Sequence, residues 1–286
     1  MPTDAEVAGQ VTRALGLRLD VLDAYDEWFS AELRKNRLLG FAAPAHEWFL
    51  PAADLMVRVG GVAYDGISGD TLSSGHVIDP PLLRLFEAGR YEEVARRWLD
   101  AQAEQYLQRL LPRSVYREAG PEVFVQRVAE DLARHAGAPY PFASWRLFGR
   151  GRRSVVVTQH GFLRRLRAVY SPFMDSAVFD FLSALPWQLL ADKRFHTDAI
   201  HRAFPEQRDL AFAPKATGVT RGLALHVYRR MARACMVYLL STARPGLVRR
   251  SVYAAYLANA ALRGGGLTVM PILLLQLQAE TRIELD

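Results

Sequence analysis

Apolar positions along this chain recur mainly every three or four residues, the spacing of one helix face. Val7, Val11, Ala14 and Leu15 predict a helix over 4–15, stopped by Gly16. Trp28, Phe29, Leu33 and Arg37 fall about a turn apart and predict a second helix over 25–39, with a third over 45–59. A short helix is predicted over 81–88. Val94, Ala95, Trp98, Leu99, Ala103, Leu107 and Leu110 predict a long amphipathic one over 90–111. Pro121 suits the first turn of the next helix, which presents Phe124, Val128 and Leu132. Further helices are predicted over 144–157, 174–185 (closed by Pro186) and 192–204. Thr220 is suited to cap a helix whose face runs Leu223, Val227, Met231, Ala234, Tyr238. Two last helices, over 245–262 and 268–283, flank Gly264, Gly265 and Gly266.

Strand signals are few. Residues 17–22 alternate, and 61–64 are a short apolar run that reads as a buried strand. Residues 167–173 read as extended, with Pro172 blocking helix. Helices between strands imply parallel pairing through crossovers. The expected fold class is α/β, dominated by helices, with a small parallel sheet.

The 61–64 run ends abruptly in Asp65, Gly66, Ile67, Ser68, Gly69, Asp70 and Thr71. Glycines permit positive φ and close approach of another molecule to the backbone. Carboxylates such as Asp65 and Asp70 suit Mg²⁺, which takes one or two acids plus phosphate oxygens. A loop at the carboxyl end of a strand is where open α/β sheets bind ligands. The same residues equally suit two ordinary turns, with aspartates bonding locally to the backbone.

Composition narrows the classes. The chain has 286 residues, of which 50% are hydrophobic and 23% charged, a balance that allows a sizeable core. No window approaches the ~18 apolar residues of a membrane-spanning helix. The first residues lack the basic and apolar regions of a signal peptide. Cys235, the single cysteine, excludes an internal disulfide and a cysteine-based metal cluster. It lies on an apolar helix face as filler, and it fits a reducing, cytoplasmic setting. The net charge of +6 raises nucleic acid as a partner. Against this, the basic residues are nearly all arginines scattered among acids along helices, and the only lysines are Lys35, Lys193 and Lys215. The denser arginines between Arg146 and Arg167 suit either an anion or a solvated surface.

Three segments occur in a telling order: 62–72, with its acidic glycine loop; 169–186, from Val169-Tyr170-Ser171-Pro172-Phe173-Met174-Asp175 to Ala184-Leu185-Pro186; and 195–218, from Phe195-His196 to Phe212-Ala213-Pro214-Lys215. Together they resemble the synthetase domain of glutamine-hydrolysing asparagine synthetase and its asparagine synthase-like relatives, which include β-lactam synthetase and lasso-peptide cyclase. The resemblance covers about residues 5–220. It implies a PP-loop ATP pyrophosphatase (adenine nucleotide alpha hydrolase-like) fold in truncated form over 1–220, followed by a helical extension over 221–286. It implies ATP and Mg²⁺, adenylation of a carboxylate substrate, and attack on the acyl-adenylate by an amine or ammonia. Carried over, Gly66, Ser68 and Gly69 would shape the loop beside pyrophosphate, and Asp70 would hold the metal. Asp65 and Asp70 are the candidate catalytic acids. His196 falls where the family has a pyrophosphate-contacting lysine, and Lys215 near a downstream basic residue.

The departures are equally specific. The family's Ser-Gly-Gly-x-Asp-Ser phosphate loop has no counterpart in this sequence, and Pro2 stands where a glutaminase domain would carry its cysteine. Ile67 and Thr71 stand where the family often has acids. Two functions are therefore carried forward. One is an amide-bond ligase completed by missing N-terminal sequence or by a partner chain bearing the phosphate loop and glutaminase, acting on a small-molecule or peptide carboxylate. The other is a non-catalytic relative that binds a partner or ligand through the inherited cleft. On the first reading, an apolar surface is expected where the missing first strand would pack.

Overall fold

A computed structural model describes residues 4–22, 27–43, 46–73, 79–99, 108–118, 120–152, 161–210, 225–241, 248–264 and 270–281. Helix dominates them. The chain opens with α1 (Asp4–Ala14), α2 (Trp28–Leu38) and α3 (Phe49–Val59). Gly16, at φ 65°, follows the end of α1, as its place in the sequence predicts. Gly60 and Gly61, at φ 77° and 112°, turn the chain from α3 into β1 (Val62–Tyr64). Few residues other than glycine tolerate those angles.

After β1 come α4 (Gly69–Ser73), α5 (Pro80–Glu87), α6 (Tyr91–Trp98), α7 (Arg113–Glu118), α8 (Pro121–Ala133) and α9 (Pro141–Arg146). Asp79 caps α5 by accepting the Leu82 N–H at 3.2 Å. Pro121 occupies the first turn of α8. The chain then returns to the sheet as β2 (Ala168–Tyr170). The two strands are parallel, with Val62 opposite Ala168, Ala63 opposite Val169 and Tyr64 opposite Tyr170. Past β2 lie α10 (Ser176–Ser183), α11 (Trp187–Leu190) and α12 (Arg194–Ala203), then α13 (Leu225–Ser241), α14 (Arg250–Arg263) and α15 (Met270–Thr281). Asp175 caps α10, accepting the Ala177 and Val178 N–H groups at 3.0 and 3.3 Å.

Among the described residues the core forms four clusters. One joins α5, α6, α8 and α9 through Leu83, Phe86, Val94, Leu132 and Phe142. A second joins α13, α14 and α15 to Trp28 of α2 through Met231, Leu239, Tyr253, Leu257 and Ile272. A third sits under β1 and β2, where Leu50 and Ala53 of α3 meet Phe162 and Leu163. The smallest, Leu72, Leu147 and Leu182, anchors the loop after β1.

Several elements differ from expectation. Residues 17–22 form no strand: Val21 is 68% exposed, and Arg18 pairs with Asp20 at 2.8 Å. Alternation supplies one face but no neighbour for the backbone hydrogen bonds. The 61–64 strand is not buried. Val62 and Tyr64 are 49% and 78% exposed, and Tyr64 stacks on Tyr170 with ring centroids 5.4 Å apart. The helix predicted over 90–111 is broken, because Leu99 turns extended (φ −69°, ψ 114°) and closes α6 at Trp98. The helix predicted from Ser144 starts earlier, at Pro141, and widens into a π turn over Leu147–Gly151. Thr220 and residues 265–269 lie outside the described residues.

Candidate functional site

The carboxyl end of β1 is held in place by β2: the Asp65 N–H donates to the Tyr170 carbonyl at 2.7 Å. The chain then turns sharply. Asp65 Oδ1 accepts the Ile67 N–H at 3.1 Å, and the Gly69 N–H donates to the Gly66 carbonyl at 3.1 Å. Both are turn bonds of the local kind that aspartate and glycine favour. The left-handed residue of this turn is Ser68, at φ 67°, and not either neighbouring glycine. A side chain in that region is strained by about 1–2 kcal/mol.

Gly69 serves a different purpose. A Cβ built on it would lie 2.6 Å from the Phe173 ring, so only glycine admits that ring. Phe173 follows β2 directly and packs with Leu72, Leu182 and Phe179. Gly66 has neither a positive φ nor a neighbour within 4 Å of an added Cβ, and a Gly66→Ala chain provides a natural control.

Asp70 opens α4 and is exposed, with Oδ1 accepting the Thr71 N–H at 2.7 Å. One turn on, the Ser73 hydroxyl donates to the Gly69 carbonyl at 2.7 Å and lies 2.9 Å from His196 Nδ1. Ser73 has one proton, so the pattern puts the imidazole proton on Nδ1 and the lone pair on Nε2. Burial holds the His196 pKa below its usual value, and the nearby Lys193 ammonium lowers it further against the opposing pull of Asp70. Neutral imidazole at pH 7 follows.

Asp65 shifts the other way. Burial raises its carboxyl pKa, offset by the Ile67 N–H. Its second oxygen, Oδ2, is buried and has no hydrogen-bond partner among the described residues. An orphaned carboxylate oxygen favours either a bound proton or a cation.

The structure thus brings Asp65, Gly66, Ser68, Gly69, Asp70 and His196 to one end of the parallel pair. Lys215 lies outside the described residues. Sequence reading missed three contributors: Ser73, Phe173 and Lys193. Ser73 was legible, since it stands four residues after Gly69 on the same face of a helical turn. Lys193 carried a subtler signal. It precedes α12 in a left-handed conformation (φ 60°) beside Asp192 (φ 55°), and it sets a cation at the helix end that favours anions. Two arginines of the suspected anion cluster are otherwise engaged: Arg165 bonds Asp54 at 3.1 Å, and Arg146 lies over the Trp98 ring at 5.3 Å. Cys235 is buried, and burial pushes its thiol up to about 12, as inert filler requires.

The fit of Mg²⁺ rests on one exposed acid. Among the described residues, no group of three or more histidine, cysteine or acidic side chains could hold a metal unaided. Asp70 instead suits an ion bound mostly through phosphate oxygens.

The His196 environment predicts a pH dependence. A histidine pKa lowered by folding makes the native state resist protonation. Its contribution is intact above the unfolded value of 6.5 and is lost as pH falls through the lower folded value. The melting temperature is expected to drop between pH 7.5 and 5.5, with a shallower drop in His196→Gln. Parallel melting curves for the two chains across that range would contradict the assignment.

Compared with family models, with curated proteins and with solved structures, the chain matches none. No helix among the described residues is long and apolar enough to cross a membrane.

Proposed function

We propose that this chain supplies the acidic-loop half of an asparagine synthase-like, AMP-forming amide-bond ligase. The observation that supports it is convergence. Three segments far apart in sequence resemble that family, and all three meet at the carboxyl end of β1: Asp65 bonds Tyr170, Gly69 receives Phe173, and Ser73 meets His196.

In this reading, a substrate carboxylate oxygen attacks the α-phosphorus of ATP, and the bond to pyrophosphate breaks. An amine nitrogen then attacks the acyl carbon, AMP leaves, and the amine loses a proton. Mg²⁺, when bound, would neutralise charge on the departing pyrophosphate. Asp70 would hold it, and Lys193 with the start of α12 would face the same anion. Asp65 would stiffen the turn through Oδ1, and the amine's proton would pass to solvent. His196 is a weaker anion ligand than the lysine it replaces, because it is neutral.

The phosphate loop would come from sequence N-terminal to these residues or from a companion polypeptide. Among the described residues β1 pairs only with β2, and its other edge suits such a strand, since a groove of about 380 Å³ runs beside it, lined by Leu22, Met56, Val59 and Val62. An unpaired edge is a template for another strand. The test is substrate-dependent exchange of labelled pyrophosphate into ATP, with this chain mixed with the product of the adjoining upstream reading frame. Exchange that falls at least a hundredfold in Asp70→Asn is expected. Full exchange in Asp70→Asn, or none with a companion that carries a Ser-Gly-Gly-x-Asp-Ser loop, would contradict it.

A non-catalytic binding role is the second reading. It is favoured by Thr71, whose hydroxyl and N–H both engage Asp70 Oδ1 at 3.3 and 2.7 Å, where the family often has an acid. Pyrophosphate binding without any exchange would select it.

A further inference from the structure

A cavity of about 290 Å³ lies against α4. Its walls include Leu72, Leu147, Leu182 and Leu190, each at most 7% exposed. An apolar cavity of ~150 Å³ already accepts benzene, so this one has room for a ring bearing a short polar tail. Thr71, Ser144, Asp180 and Ser183 line it as well. Asp180 and Ala184 are exposed and mark its mouth.

The polar side chains set the character of a ligand, because most of them present acceptors. The Thr71 hydroxyl gives its proton to Asp70 Oδ1 at 3.3 Å, and the Ser183 hydroxyl gives its proton to the Phe179 carbonyl. Each oxygen keeps its lone pairs and has no second proton to offer. The Asp180 carboxylate only accepts, and it has no ion-pair or hydrogen-bond partner among the described residues. Tyr140 lines the cavity too, but its hydroxyl is buried and offers no donor there. Ser144 meets His135 Nδ1 at 2.9 Å, so the direction of its proton follows the imidazole tautomer. A ligand bringing donors and a positive charge answers such a lining. A primary ammonium has three donors and no acceptor.

We propose that this pocket takes a small primary amine, held as its ammonium by Asp180, Thr71 and Ser183, with its apolar group among the four leucines. The Thr71 hydroxyl joins the pocket to the acidic turn. The ligand is then the amine that attacks the acyl-adenylate, an assignment that rests on the ligase reading, whereas binding does not. Phenethylamine, phenethyl alcohol and phenylacetate are probes of nearly equal shape that carry a cation, a neutral hydroxyl and an anion.

Calorimetry and ligand-detected NMR on the intact chain are expected to show phenethylamine binding roughly threefold or more tighter than phenethyl alcohol, with phenylacetate weakest. Asp180→Asn should weaken phenethylamine roughly three- to fivefold, the worth of an exposed ion pair, and leave phenethyl alcohol within about twofold. Added salt should erode the preference for the amine. Ala184→Trp, at the exposed mouth, should weaken all three probes while the fold is kept. No binding of phenethylamine by the folded chain would overturn the proposal. So would equal affinity for phenethylamine and phenethyl alcohol, an unaltered preference in Asp180→Asn, or undiminished binding in Ala184→Trp. Pyrophosphate exchange tests the ligase reading separately: amine binding without exchange upholds the pocket, and exchange without amine binding overturns the pocket alone.

Discussion

A chain carrying Glu32→Ala is expected to lose about 3–5 kcal/mol of stability. That is a large share of the ~5–15 kcal/mol that holds a typical domain together. Glu32 and Lys35 lie one turn apart on α2, and both side chains are fully buried. The ammonium meets the two carboxylate oxygens at 2.8 and 2.9 Å. Burial raises the Glu32 pKa while Lys35 pulls it down, so the pair survives only because each charge has the other. Removing the acid leaves a cation in the core with nothing to offset its lost hydration. The neighbouring Asn36 amide donates to Gln276 at 2.9 Å, and Gln276 donates to the Leu33 carbonyl at 2.9 Å, which ties α2 to α15. The damage should therefore spread to the carboxyl-terminal helices. Urea denaturation with fluorescence detection measures the loss. The double replacement Glu32→Leu with Lys35→Met should recover most of it, since apolar pairs of similar volume are often neutral replacements. A single Glu32→Ala chain as stable as the parent would contradict this account of α2.

Gly69→Ala is the second large effect expected, and it acts on the site. The added Cβ would lie 2.6 to 2.9 Å from three atoms of the Phe173 ring, closer than such contacts come, so the ring has to shift. Overpacking of this kind costs ~1–3 kcal/mol. The ring is wedged among Leu72, Phe179 and Leu182, so the strain passes into the turn that carries Ser68 and Asp70. Loss of pyrophosphate affinity by more than tenfold is expected, with Gly66→Ala near the parent in both stability and affinity. Equal effects of the two substitutions would show that the Phe173 contact does not set the loop.

These two residues illustrate what the sequence made legible. Helical spacing located α2, α8, α10 and α14 to within a few residues, because their apolar faces point into clusters that need them. The same reading counted Lys35 only among basic residues scattered along helices and gave Glu32 and Asn36 no role. Nothing in the order of residues reveals that Glu32 and Lys35 are buried, or that Asn36 meets Gln276 of α15, 240 residues away along the chain. Short strands were harder. Residues 62–64 and 168–170 were found through their glycine and proline punctuation, whereas 17–22 alternates without a partner.

The site was partly legible. The acids and glycines after β1 stood out, but the reason for each glycine did not. Gly69 answers a close approach from Phe173, and the left-handed residue is Ser68, which no rule about glycine would have found. The contact of His196 with Ser73 depends on α12 crossing α4, and only the folded chain contains that information.

The turn after β1 is proposed to hold Mg²⁺-pyrophosphate through Asp70. Calorimetric titration of pyrophosphate into the purified chain, with and without Mg²⁺, tests it most directly. Binding that requires Mg²⁺ and disappears in Asp70→Asn is expected. Binding that ignores Mg²⁺ and persists in Asp70→Asn, or no binding at all by the folded chain, would contradict it.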